Sequence, residues 1–188
     1  ELSEGEEGFI ILAKTPFYAQ GGGQIGDTGY LLNATSQFLV TQTFKEGAFI
    51  LHQGKLLKGH LKKGDKLKAE VDVEKRRAIT LNHSATHLLH AALREVLGGH
   101  VMQKGSLVEP ERLRFDFSHP DLLSTEQLKI IEDRVNQQIR ANLPVLTQIM
   151  SREEARQTGA LAMFGEKYAD KVRVLTMGDF SKELCRGT

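Results

Sequence analysis

The chain has 188 residues, 40% of them hydrophobic and 26% charged, with a formal net charge of +1. That length holds one large domain or two small ones, with enough chain to bury a core. No run approaches the roughly 18 apolar residues of a membrane span and no signal-peptide pattern is present; the single cysteine excludes an internal disulfide and fits a reducing compartment, the cytoplasm.

The first residue is Glu1 rather than Met, so a longer parent chain is expected. Residues 1–72 read as β-rich. Short apolar runs at 9–13, 29–32, 37–41 and 49–52, and the alternation of 66–72, predict strands at a spacing that suits a small barrel or compact sandwich. Gly21-Gly22-Gly23 has no place in a strand interior and reads as a loop. Backbone amides there could cradle a phosphate, but the Lys-Ser/Thr that follows in a P-loop is missing. Lys55, Lys58, Lys62, Lys63, Lys66, Lys68, Lys75, Arg76 and Arg77 crowd one stretch, diluted by Asp65, Glu70, Asp72 and Glu74. Such a mixture reads either as a solvated face or as a surface for phosphates.

From Asp72 the period changes. Asp72 is a candidate N-cap and Gly98-Gly99 a stop; between them Ile79, Leu81, Ala85, Leu88, Leu89, Ala92, Leu93, Val96 and Leu97 recur at helical spacing. Strands are expected at 101–103 and 113–117, the second with Arg114 and Asp116 on one face as a pair. Ser124 with Gln127 makes a capping box that opens a second helix, with Leu128, Ile131, Val135 and Ile139 as its buried stripe and Asn142-Leu143-Pro144 as its end. A strand at 145–150 follows, then a short helix from the Ser151–Glu154 capping box to Gly159, and a last strand at 172–177 before a loop carrying the cysteine. The order predicts an α+β fold: a small β-rich, barrel-like subdomain at 1–72, then an α/β core at 73–188 whose long helix carries the sequence HxxxH.

His83 and His87 stand four apart, so a helix projects both imidazoles from one face. Cys185 offers a thiolate from another element, and imidazole with thiolate suits zinc. Two ordinary histidines and a small buried cysteine are the competing reading. A zinc peptidase is excluded, because Ser84 stands where its general-base Glu would be. His90, one turn on, reads as a neighbour of such a site rather than a ligand. Thr86 lies about 60° around the helix from His83, which places its hydroxyl at the border of whatever the histidines bind. Gln103 follows the Gly98-Gly99 turn, which can fold its strand back along the histidine helix.

The string Asn82-His83-Ser84-Ala85-Thr86-His87-Leu88-Leu89-His90 resembles the signature of the editing domain of alanyl-tRNA synthetase. Thr15-Pro16-Phe17-Tyr18-Ala19, Gly22-Gly23-Gln24-Ile25-Gly26-Asp27, Val101-Met102-Gln103-Lys104-Gly105-Ser106, Arg114-Phe115-Asp116-Phe117, Phe164-Gly165-Glu166-Lys167-Tyr168 and Ser181-Lys182-Glu183-Leu184-Cys185 are similar to further blocks of that family, collinear from near residue 9 to the end.

The resemblance implies zinc held by two histidines, a cysteine and another histidine four residues after the cysteine. Of these four the chain contains His83, His87 and Cys185. It also places Arg186 where the family has glycine. The implied activity is that of an aminoacyl-tRNA deacylase within an alanine-tRNA ligase: hydrolysis of the ester joining serine or glycine to the 3′ end of alanine tRNA, with Thr86 and Gln103 at the reacting group. The implied partners are the mischarged 3′ end and the remainder of the synthetase. Two relatives share HxxxH: a free-standing trans-editing deacylase, and the editing domain of threonyl-tRNA synthetase, which the Gly-Gly-Gln and Ser-Lys-Glu-Leu-Cys blocks fit less well. A zinc-stabilised RNA-binding module without catalysis is the alternative from another class.

Overall fold

The computed structural model describes residues 1–161 and 169–188, so the expected motif Phe164–Tyr168 lies outside the described residues. Its elements run in chain order as β1 (Leu2–Ser3), β2 (Glu7–Ile11), β3 (Gly29–Leu32), β4 (Gln37–Glu46), β5 (Phe49–Lys58), β6 (His60–Leu61), β7 (Lys68–Val71) and α1 (Val73–Leu97). They continue as β8 (Gln103–Val108), β9 (Leu113–Phe117), α2 (Thr125–Ala141), β10 (Val145–Ser151), α3 (Arg152–Gln157), β11 (Lys171–Met177) and β12 (Ser181–Leu184). The fold is α+β, as the sequence predicts. Two compact units are present: residues 1–80 with 109–111 and 187–188, and residues 81–108 with 112–186. The division falls inside α1. Among the described residues no helix is long and apolar enough to cross a membrane.

The first unit is built on an antiparallel five-stranded sheet of order β2-β5-β4-β3-β7, with β1 paired to β6. Its core is Phe17, Leu31, Phe38, Val40, Leu56 and Leu61. β4 and β5 form one hairpin in which Glu46 pairs with Phe49 across Gly47, whose φ of 58° suits a two-residue turn. Both strands run well past the expected 41 and 52. A register shift between Val40 and Gln42 breaks the two-residue period, so alternation stops there while hydrogen bonding continues.

Polar groups in this unit are buried with partners, as burial requires. His52 donates from Nδ1 to the Ile10 carbonyl at 2.9 Å and accepts from the Thr15 hydroxyl at 2.7 Å; burial pushes its pKa down. The glycine-rich stretch is a built turn rather than a slack one. Gly21 pairs with Gln24, and the Gln24 amide donates to the Thr188 hydroxyl at 2.8 Å. Gly26 lies against the Thr43 carbonyl, where a Cβ has no room. Asp27, almost wholly buried, accepts from the Arg76 guanidinium through both Nε and Nη2. In the lysine-rich stretch Lys68 pairs with Glu70 at 2.5 Å on an exposed surface, in keeping with a solvated face.

Helix α1 begins where the sequence places it, with Asp72 Oδ1 accepting from the Lys75 amide at 3.0 Å, an N-cap contact. Gly98, at φ 115°, ends it. In the second unit its residues Leu88, Ala92 and Leu93 are buried. Both expected capping boxes form, at Ser124–Gln127 for α2 and Ser151–Glu154 for α3, and Asn142 closes α2 in the left-handed conformation. Arg114 and Asp116 pair at 3.2 Å. β8 and β9 form a hairpin, β8 beginning two residues later than expected. The remaining sheet has the order β10-β11-β12.

Three expectations change. Leu81 is exposed, and so are Leu128 and Ile139 of the α2 stripe, which leaves Ile131 as that helix's fully buried residue. Leu81 and Ile139 border an apolar groove of about 420 Å³ with Ala85, Leu88, Leu143 and Met177 instead of closing it. Ser181–Leu184 is a strand paired with β11 that the sequence did not predict; Cys185 opens the loop directly after it.

Candidate metal centre

α1 supplies His83 and His87, and the residue directly after β12 supplies Cys185; all three are buried in the second unit. One nitrogen of each imidazole and the Cys185 sulfur lie within 4.8 Å of one another. The imidazole rings stack with centroids 5.2 Å apart and planes 11° from parallel, as the four-residue helical spacing dictates. Cys185 Sγ is 3.4 Å from His83 Nε2. The Cys185 amide donates to the Arg173 carbonyl at 3.1 Å, which ties the cysteine to β11.

His87 Nδ1 is 2.6 Å from Glu183 Oε2, and His90 Nδ1 is 2.8 Å from Glu183 Oε1. All three side chains are buried. The sequence reading missed Glu183. A signal was present: Glu183 stands two residues before Cys185, and a strand sends residues of that spacing to the same face.

Charge is concentrated in this cluster. Burial would raise the Cys185 thiol, but His83 and His87 outweigh it and bring the pKa down to about 5. Burial would likewise lower His87; the Cys185 sulfur and the Glu183 carboxylate outweigh that and raise it to about 9. Glu183 is pulled down to about 2, since hydrogen bonds from His87 and His90 overcome the cost of burying its charge.

The residues fit a metal ion. Among the described residues His87 Nε2 is buried without a hydrogen-bond partner, although a buried ring nitrogen normally has one. One nitrogen of each imidazole and the Cys185 sulfur are close enough to surround one centre. Two imidazoles and a thiolate are a donor set for zinc, with Cys185 already favouring the thiolate form.

Thr86 is buried beside His87 on α1, and its hydroxyl donates to the Asn82 carbonyl at 2.8 Å. With its proton so engaged, the oxygen keeps lone pairs to accept with. Gln103 opens β8, half-buried, its amide donating to the Ser106 hydroxyl at 3.1 Å. The metal cluster is thus brought together, while Thr86 and Gln103 are each placed by local bonds of their own. A separate cavity of about 200 Å³ is lined by Ile149, Lys171, Val172, Arg173, Cys185 and Arg186, so three basic residues border the cysteine.

Comparison with known proteins gives a consistent picture. Over 187 residues the chain is 58% identical to alanine–tRNA ligase of Pseudomonas fluorescens, an alignment covering 99% of this chain and 21% of that protein. The chain is similar to a part of alanine–tRNA ligase. It is also 57% identical over 188 residues to the alanine–tRNA ligase of Nitrosococcus oceani, covering 100% of this chain and 22% of the relative. Residues 1–75 match the family model for class II (A) tRNA synthetases. The chain therefore spans about a fifth of the length of these alanine–tRNA ligases and aligns with them over 99–100% of its own length.

Proposed function

We propose that this chain is the editing part of an alanine–tRNA ligase, an aminoacyl-tRNA deacylase that hydrolyses seryl or glycyl esters of alanine tRNA. The observation that carries the reading is the buried cluster of His83, His87 and Cys185 in a chain that aligns throughout with that enzyme. On this reading residues 1–72 form a β-rich subdomain with the glycine-rich turn, and 73–188 the editing core. Its partners are the mischarged 3′ end of alanine tRNA and the rest of the ligase, and its place is the cytoplasm.

His83, His87 and Cys185 would hold zinc, which as a Lewis acid can polarise a carbonyl or a bound water. The remaining work belongs to the chain. In the reaction water adds to the ester carbonyl carbon, the bond to the ribose oxygen breaks, and the tRNA leaves with its hydroxyl restored. Thr86 accepts a hydrogen bond from the serine hydroxyl, since its own proton is held by Asn82. Gln103 offers an amide donor and acceptor to the same hydroxyl or to the ester carbonyl. Glu183, the acid in contact with His87 and His90, has both oxygens engaged by imidazoles and is not free to act as a base. The chain's contribution is therefore to position the ester and its hydroxyl.

The test is deacylation of seryl-tRNA of alanine identity by the chain and by Cys185→Ala. Loss of turnover of at least tenfold in the variant supports the reading, and equal turnover contradicts it.

A further inference from the structure

We propose that Glu183 is a positioning residue that fixes His87 and His90 with Nδ1–H facing its carboxylate, so that His87 presents a lone pair at Nε2 to the metal. The inference rests on the metal reading above and adds to it a residue outside the ligand set.

The geometry carries it. An ionised carboxylate accepts hydrogen bonds and donates none, so each imidazole within bonding distance of Glu183 must donate. The two contacts use different oxygens, Oε2 for His87 at 2.6 Å and Oε1 for His90 at 2.8 Å. One carboxylate thus clamps two rings three residues apart on α1. The ring nitrogen remaining on each is Nε2, and among the described residues both Nε2 atoms are buried without a partner. At His87, with Nδ1 engaged by Glu183, Nε2 is the nitrogen left to join His83 and the Cys185 sulfur around an ion. Imidazole ligands commonly hold their second nitrogen against such a carboxylate, which sets the ring's tautomer and angle and raises its basicity.

Position in the fold explains how the clamp is held. Glu183 lies on β12, paired with Leu175 of β11, and the Leu161 amide bonds the Lys182 carbonyl beside it at 2.9 Å. Cys185 is two residues further on. One short strand therefore delivers both a sulfur ligand and the carboxylate that aims an imidazole ligand.

Glu183→Gln tests this without a large change of shape. An amide has one carbonyl oxygen, so it can accept from only one of the two Nδ1–H groups, and its NH₂ forces the other ring into the opposite tautomer. Imidazole ¹⁵N shifts of the metal-free chain near pH 10, above the pKa of about 9 to which His87 is raised, are expected to show protonated Nδ1 and unprotonated Nε2 at both His87 and His90. In Glu183→Gln they are expected to show it at one ring only. Cobalt(II) affinity, measured by competition with a chromogenic chelator, is expected to fall 10- to 100-fold in Glu183→Gln. His90→Asn removes the other ring while leaving the carboxylate to His87, and should change that affinity by less than about threefold, a mutational effect under roughly 0.7 kcal/mol. An unprotonated Nδ1 at His87 in the unmodified chain would overturn the proposal, whether or not metal binds. So would equal cobalt affinity of Glu183→Gln and the unmodified chain, with the variant's native amide spectrum confirming its fold. Failure to hydrolyse seryl-tRNA with both signatures intact would count against the deacylase reading alone.

Discussion

At residue scale the proposed function assigns the discrimination of serine to Thr86. Its hydroxyl proton goes to the Asn82 carbonyl, so toward a substrate it can only accept, which suits the O–H of serine and offers nothing to alanine. A buried acceptor left unpaired penalises the analogue that lacks the donor far more than a difference in size does. Thr86→Val keeps the shape and is expected to lower seryl-ester turnover by tenfold or more, about 1.4 kcal/mol of barrier, with glycyl-ester turnover less affected. Parallel kinetics on the two esters check this; a change within twofold on the seryl ester would remove Thr86 from the site. Gln103→Ala should lower turnover of both esters, since its amide can serve the shared ester carbonyl as well as the hydroxyl. That His83 and His87 share a helix face was legible in the sequence because helical spacing is a local rule. Glu183 was not, because nothing local distinguishes an acid that meets α1 across the fold from one that meets water. The same holds for Gln24, whose partner Thr188 lies at the other end of the chain.

At the scale of elements, punctuation was the most readable signal. Ser124 and Ser151 each hold the amide three residues on, and Gln127 and Glu154 reach back, so both helix starts follow from four residues of sequence. Ser124→Ala is expected to cost about 1 kcal/mol, read as a thermal midpoint lower by roughly 2–4 °C; an unchanged midpoint would show that the cap contributes nothing to the unit's stability. Faces were harder to read than ends. The apolar spacing of α2 predicts burial for Leu128 and Ile139, yet spacing states which residues share a face and leaves open whether a neighbour covers all of it. Ile131 is covered; Ile139 borders an open groove. Strand lengths failed for a related reason. The shift at Val40–Gln42 breaks alternation without ending the pairing, and β12, at four residues, is too short to show a period. The Asp27–Arg76 pair joins the glycine-rich turn to the first turn of α1 within the first unit. Arg76→Met would leave a buried carboxylate unpaired and is expected to cost about 3 kcal/mol, seen as a lower urea midpoint. A loss under about 0.5 kcal/mol, the scale of a surface substitution, would contradict that role.

At the scale of the whole molecule, the fold class followed from the order of periods, two-residue before Asp72 and helical after it, while function needed the motifs. The HxxxH spacing alone leaves two ordinary histidines as a fair reading; the buried sulfur and the partnerless Nε2 argue for a shared ion. Lys171, Arg173 and Arg186 line a cavity that also reaches Cys185. If Arg186 meets a tRNA phosphate there, Arg186→Gly should weaken tRNA binding and reduce the slope of log affinity against log salt by about one. An unchanged slope would make the arginine a neutral replacement for the family's glycine. In the proposed function His83, His87 and Cys185 hold a metal ion that serves ester hydrolysis. The most direct measurement is the rate of release of serine from seryl-tRNA of alanine identity, with and without a zinc chelator and after adding zinc back. Turnover is expected to be lost on chelation and to recover on readdition, with Cys185→Ala inactive throughout. Turnover indifferent to chelator and to the loss of Cys185 would contradict that function.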